Sequence, residues 1–140
     1  MNTTLIVTFS AQFAPWITEI RRAVFTDEQG IDTDKDFDGQ DPRAVHALVM
    51  GEENFVGPGR MLADGHIGRL AVLAPYRGKG LGARLVRALG EEARRRGLRC
   101  VFLGAQKQAQ GFYERLGFTT CGKSYLEVGI AHVPMEWLLK

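Results

Sequence analysis

Three glycines spaced two apart, Gly78, Gly80 and Gly82, lie between an apolar run and an amphipathic stripe, and no other feature constrains the fold as tightly. The run before them, residues 70–74, is the longest uninterrupted apolar stretch in the chain and ends a segment, residues 66–73, that reads as a strand. After them Leu81, Leu85, Leu89 and Ala93 recur at helical spacing with Val86 beside them, while Arg84, Arg87, Glu91, Arg94 and Arg95 fall off that stripe. Gly97 follows as a natural helix stop. A strand that turns on glycines into a helix is a unit of an α/β chain. The same turn gathers backbone N–H groups and the positive end of a helix in one place, which suits an anion.

The remaining segments fit around this unit. Residues 4–9 (TLIVTF) read as a strand and residues 13–26 as an amphipathic helix, with Pro15 in its first turn. Residues 27–41 show no periodicity and read as a loop. Residues 44–50, 55–62 and 66–73 alternate as three short strands joined by tight turns, an antiparallel meander. Pro58 lacks a ladder donor, so a bulge or an edge position is expected there. Residues 100–103 read as a buried strand, and Ala109, Phe112, Tyr113 and Leu116 as a second helical stripe closed by Gly117. One or two strands end the chain. The order β-α-βββ-α-β-α-ββ predicts a single domain over residues 1–140, α/β (α+β) in class, with a central mixed, mostly antiparallel sheet flanked by helices.

Composition narrows the classes. A chain of 140 residues, 45% hydrophobic, buries enough surface to fold without a disulfide or a metal. No apolar run approaches the roughly 20 residues of a membrane span, and the opening MNTTLIVTFS lacks the basic segment of a signal peptide. A cytoplasmic location is expected. Cys100 and Cys121 have no CxxC spacing and read as reduced thiols; His46, His66 and His132 are dispersed, so no metal is expected. The net charge of +2 hides a division: residues 1–60 carry a net −5 and residues 61–140 a net +7. Two faces with different partners follow from that asymmetry.

Three glycine-rich patterns compete for a phosphate. Residues 117–124 match GxxxxGK[ST], but a helix precedes them and a segment with Gly129 and Pro134 follows, the reverse of what a P-loop needs. They read instead as a helix cap, a strand and a turn. Residues 78–83 fit the dinucleotide pattern GxGxx[GA] in the right local context, yet the next strand ends in VFLGAQKQ with no acid to hold a ribose. With Arg77 in front, the same loop is [RQ]xxGx[GA], an acyl-CoA pyrophosphate loop. Here Gly78, Gly80 and Gly82 admit the backbone close to the pyrophosphate, Leu81 and Ala83 complete the first helical turn, and Arg77 and Lys79 add charge.

With IGRLAVLAPYRGKGLGARLV followed by AQKQAQGFYERLGF, the chain resembles the GNAT superfamily of acyl-CoA-dependent N-acyltransferases over nearly its whole length. VFTDEQGI, the DFDG segment before HAL, and GIAHVPM are similar to a subgroup of small bacterial members. The resemblance implies the GNAT fold, acetyl-CoA as co-substrate, no metal, and direct transfer of the acetyl group to a primary amine. It implies that the pantetheine arm pairs with the backbone of Leu70, Ala71 and Val72, with an N–H near Val72 polarising the thioester carbonyl. It places Tyr113 as the acid that protonates the CoA thiolate, with Phe112 beside it, and Gln106 where the family often carries Asn. On helical spacing alone Tyr113 also reads as a core tyrosine.

The acceptor side is open. Glu28, His46, Glu127 and His132 come from segments expected to line it, and His66 falls near the family's strand-borne base or is a solvated strand end. From Asp27 to Asp41 stand seven acids and one lysine. They read either as a solvated loop or as a rim attracting a cationic amine. Asp34, Asp36 and Asp38 copy half of an EF-hand loop, but Val45 stands where its bidentate Glu belongs. A GNAT-fold acyl-CoA-binding module without turnover is the alternative function. Arg94, Arg95 and Arg96 lack interleaved aromatics, so neither nucleic acid nor membrane is an expected partner. Oligomeric state is open between a monomer and the homodimer common in the family.

Overall fold

The computed structural model describes residues 3–140. Strand β1 (Thr4–Val7) leads to α1 (Ala14–Arg21), whose helical path continues over Arg22–Glu28 with wider π-type turns. A four-residue helix α2 (Thr33–Asp36) follows. Then come β2 (Val45–Met50), β3 (Phe55–Met61), β4 (Ile67–Gly68) and α3 (Leu81–Arg95). The chain finishes with β5 (Cys100–Gln106), α4 (Gln110–Arg115), β6 (Thr119–Thr120), β7 (Tyr125–Glu127) and β8 (Ile130–Leu138).

Two antiparallel sheets result. One runs in the order β1-β2-β3-β4; the other runs β5-β8-β6, with β7 also on β8. They meet through a parallel bridge between His66 and Phe102, reinforced by the Phe102 N–H donating to the Gly65 carbonyl at 3.1 Å. Past that bridge β4 and β5 part.

β2 is buried on both faces, and strand alternation divides its side chains. Val45, Ala47 and Val49 pack with Leu85, Val86 and Leu89 of α3, whereas Leu48 packs with Ile17 of α1. The glycine turn into α3 forms as expected, with Gly80 at the helix start (φ 80°) and Gly97 just past its end (φ 83°). Residues 117–124 form a helix stop, β6 and a turn, as the context of that motif requires.

Pro58 departs from expectation. It is neither at an edge nor on a bulge; it pairs with Leu48 inside the sheet. Its ring nitrogen faces β4, because its carbonyl accepts from the Ala71 N–H at 3.0 Å and both groups of a residue point to the same side. β3 has a register shift two residues away, where Val56 is extra between the Gly57–Val49 and Phe55–Met50 pairs, and a second shift lies on the partner strand. Gly68 pairs with Arg60, yet Ala71 bonds Pro58 and Leu73 bonds Val56, so one extra residue sits between the two registers. That residue is Arg69, in the left-handed region at φ 53°. The strand expected over residues 66–73 is therefore broken at its middle. Gly57 permits the close crossing beyond the break: a Cβ there would stand 2.8 Å from the Ala71 carbonyl oxygen.

The acidic stretch divides: Asp27, Glu28, Asp32, Asp34 and Asp38 are exposed, as a solvated loop or rim requires, whereas two of its aspartates are interior. Asp36 and Asp41 are 2% and 4% exposed and surround Arg21, which is fully buried. Arg21 donates to Asp36 Oδ1 at 3.0 and 3.2 Å, to the Asp36 carbonyl at 2.9 Å and to Asp41 at 2.7 Å. Arg60 spans Asp38 at 2.8 and 2.9 Å and Asp41 at 3.2 Å, and Arg69 adds contacts to Asp36 and Asp38. Three arginines thus meet three aspartates. Buried charges persist when paired and hydrogen-bonded in this way.

Candidate active site

The break at Arg69 sets the site. Because Ala71 and Leu73 turn their backbone groups toward β3, Leu70 and Val72 turn theirs the other way, into the opening between β4 and β5. A cleft of about 390 Å³ occupies that opening. Leu70, Leu103, Gly104, Gln106, Ala109 and Tyr113 line one part of it. His66, Tyr125, Glu127 and His132 line another, facing Phe25, Gln29 and Ile31 from the α1 side.

The glycine turn is joined to this cleft through Phe112, which lies against Gly82 on one side and Tyr113 of the lining on the other. Gly78 and Gly80 both have positive φ and open space where a Cβ would be. No side chain caps α3, and its first turn holds no acid, so its leading N–H groups are directed at solvent. Lys79 lies over the Tyr76 ring at 5.6 Å. Gly82 rests on Phe112, whose ring meets Tyr113 edge-on at 5.0 Å.

Tyr113 is held between Phe112 and Phe118. Burial pushes its phenol up to about 12. It therefore remains protonated through any ordinary assay pH and can offer its O–H into the cleft.

The family model described as "Acetyltransferase (GNAT) domain" matches residues 33–139. The chain belongs to the GNAT acetyltransferase family. YyaT of Bacillus subtilis, an uncharacterized protein, is 39% identical over 123 residues, covering 84% of this chain and 83% of its own. An acyl-CoA N-acyltransferase from Pseudomonas aeruginosa superposes with a TM-score of 0.85 at 26% identity, over 98% of this chain and 99% of that one. Escherichia coli ElaA gives 0.86 at 28% identity, over 98% and 99%. The family's reaction is acyl-CoA-dependent acyl transfer.

Within this GNAT chain several expected site residues are placed differently. His46 is fully buried on the α1 face of β2, donates from Nε2 to the Asp41 carbonyl at 3.1 Å, and packs on Phe9. Burial lowers its pKa. It is a core histidine, away from the cleft. Glu28 is also outside the cleft lining. Its carboxylate takes both terminal nitrogens of Arg77 at 2.5 and 2.7 Å, and that hydrogen bonding lowers its pKa. Arg77 is consequently engaged. Its Nε donates to the Val72 carbonyl at 2.8 Å, so its guanidinium braces the loop to the end of the first helix. Gln106 reaches the cleft, with its amide oxygen accepting from Gln108 at 2.5 Å. Ala71 points its methyl group at Ile20 and Val24, and its N–H is bonded to the Pro58 carbonyl, so its backbone faces β3 rather than the cleft.

His66, Glu127 and His132 do converge on the cleft. His66 stacks on Phe102 at 4.9 Å where the sheets join, and burial lowers its pKa. The residues missing from the sequence reading are Tyr125 and Arg69. Tyr125 had a signal: residues 125 and 127 pair with 132 and 130 across the Val128-Gly129 turn, so all four face one side. Gly104 makes room for the Tyr125 hydroxyl, which would lie 2.0 Å from a Cβ. Arg69 had one too, as a lone cation within an apolar strand pattern. Among the described residues no helix is long and apolar enough to cross a membrane, and no cluster of three or more metal-ligating side chains forms.

Proposed function

We propose that this protein is an N-acetyltransferase moving the acetyl group of acetyl-CoA onto a primary amine. One observation carries the reading: an uncapped helix start behind Gly78–Gly80 lies next, through Phe112, to a cleft toward which Leu70 turns its backbone and Val72 its N–H, the Val72 carbonyl being held by Arg77. The residues fit acyl-CoA. The N–H groups of residues 78–83 would hold the pyrophosphate, aided by the helix dipole and Lys79, with Phe112 supporting the loop. The Leu70 and Val72 backbone would pair with the pantetheine arm, beside Gln106, and an N–H there would receive the developing oxyanion.

The amine nitrogen attacks the thioester carbonyl carbon and forms the C–N bond. The C–S bond then breaks, the nitrogen loses a proton, and an amide and the CoA thiol result. Tyr113 stands to meet the departing sulfur with its O–H. A phenol at about 12 does not transfer its proton outright to a thiolate of ordinary pKa about 8.5. Its contribution is a hydrogen bond that strengthens as charge collects on sulfur, and water completes the protonation.

The buried aspartates of the acidic loop are matched by arginines and add no net attraction for a cationic acceptor, which leaves that role to its exposed acids Asp27, Asp32 and Asp34. Of the two carboxylates lining the cleft, Asp36 is paired with Arg21 and Arg69, and Glu127 lies on the acceptor side beside His132. The test is thiol release from acetyl-CoA across small amines, polyamines, amino acids, aminoglycosides and peptide N-termini. Amine-dependent release supports the reading. Thermal stabilisation by CoA with no release from any acceptor replaces it with the non-catalytic binding module.

A further inference from the structure

We infer that His132 is the general base of this site, working through Nε2, with Ile130, Tyr125 and Glu127 as the groups that position it. The inference rests on the acetyl-transfer reading and supplies the proton acceptor that reading lacks.

The β7–β8 hairpin builds the arrangement. Its turn is two residues long, Val128 and Gly129, with φ 52° and 74°. Positive φ at both places is the geometry that matches strand twist in a tight hairpin. Valine tolerates that region poorly. The turn therefore holds a strained residue at the rim of the cleft, a place where strain has often been retained for function. The register it enforces sets Tyr125 opposite His132 and Glu127 opposite Ile130, all on the cleft side.

His132 Nδ1 lies 2.7 Å from the Ile130 carbonyl oxygen. A carbonyl only accepts, so Nδ1 carries the hydrogen. In the neutral ring Nε2 is then a bare lone pair, the form a base needs. Tyr125 stacks on the ring at 5.6 Å and 22°, fixing its plane. Glu127 Oε2 lies 3.8 Å from Nε2 and would stabilise the imidazolium once it forms. An anchored nitrogen, a free one and a carboxylate nearby together make a positioned base.

Other titratable and charged groups face the same space. His66 and Arg69 come from the β4 side, Lys35 and Asp36 from α2, and Tyr113 from α4. Arg69 and Asp36 are spent on each other and on the buried cluster. Tyr113 is assigned to the sulfur. His66 lies flat on Phe102 at the junction of the sheets, and among the described residues no carbonyl sets its tautomer. His132 thus has the more complete support. As the C–N bond forms, Nε2 takes a proton from the attacking nitrogen; the imidazolium later returns it to water.

Nitrogen NMR of the acetyl-CoA-free protein reads the tautomer without any turnover: the inference predicts hydrogen on Nδ1 and a bare Nε2, and the opposite tautomer overturns it. The second arm is kcat/KM for the amine against pH in His132→Gln and His66→Gln. His132→Gln should lose about 10²-fold at neutral pH, have the acidic limb of its profile displaced to the higher pH at which the amine itself deprotonates, and converge on wild type there. Acetyl-CoA-dependent thermal stabilisation should persist, showing an intact fold, and added imidazole should restore rate to His132→Ala. An unchanged limb in His132→Gln, or its displacement in His66→Gln instead, overturns the assignment. Absence of amine-dependent release in the wild type would refute acetyl transfer itself, while the NMR result would still report on His132.

Discussion

Arg21→Met tests the claim that Asp36 and Asp41 of the acidic stretch are internal structure. Methionine roughly replaces the volume of the arginine stem but removes four hydrogen bonds, three to Asp36 and one to Asp41. Two carboxylates that are 2% and 4% exposed then share Arg60 and Arg69 alone. Breaking a buried ion pair from one side costs about 3–5 kcal/mol, because the stranded charge cannot return to water. That is a large part of the roughly 5–15 kcal/mol that holds a domain together. Unfolding entropy of about 2.1 cal/mol/K per residue gives roughly 0.3 kcal/mol/K for a chain of this length. The melting temperature should therefore fall by about 10–17 °C. Differential scanning calorimetry measures it directly. A fall of less than about 3 °C would refute the cluster as a structural element and restore the acids to the surface.

Tyr113→Phe should lower kcat by at least about ten-fold at saturating substrates; an unchanged kcat removes Tyr113 from the sulfur. With its phenol at about 12, the wild-type enzyme should show no alkaline loss of kcat attributable to Tyr113 below about pH 10. Asp38, hydrogen-bonded by Arg60, has its pKa held well below the carboxylate range. Its contribution to stability is present above the unfolded pKa of about 4 and is lost as pH falls further, so Asp38→Asn should flatten the acid limb of a stability–pH curve measured by urea unfolding. Gly57→Ala places a Cβ against the Ala71 carbonyl, and the shifted strand should raise the KM for acetyl-CoA more than that for the amine; equal changes in both would argue against strand position as the cause.

Much of the fold was legible because its signals are local. The stripe Leu81–Leu85–Leu89–Ala93, the glycines at 80 and 97 and the alternation of residues 44–50 each specify an element without knowledge of its neighbours. The glycine turn before α3 was legible for the same reason. What escaped depends on contacts across the chain. Asp36 and Asp41 look solvated until Arg21, 15 and 20 residues earlier, is brought against them. Arg77 looks free until Glu28, 49 residues away, closes on it. His46 alternates correctly for a strand, but only the packing of α1 decides that its face is interior. The bulge was expected from Pro58 because proline is visible in a sequence; the extra residue at Arg69 shows only in the register of the partner strand.

The most direct test of the account follows an isotope-labelled acetyl group from acetyl-CoA in a single turnover with the acceptor that the thiol-release panel identifies. The account predicts label in an amide of the amine product, none on the protein at any time, and loss of transfer when the loop is altered at Gly80 and Gly82. Label retained on acetyl-CoA, despite CoA bound at the loop, would contradict it.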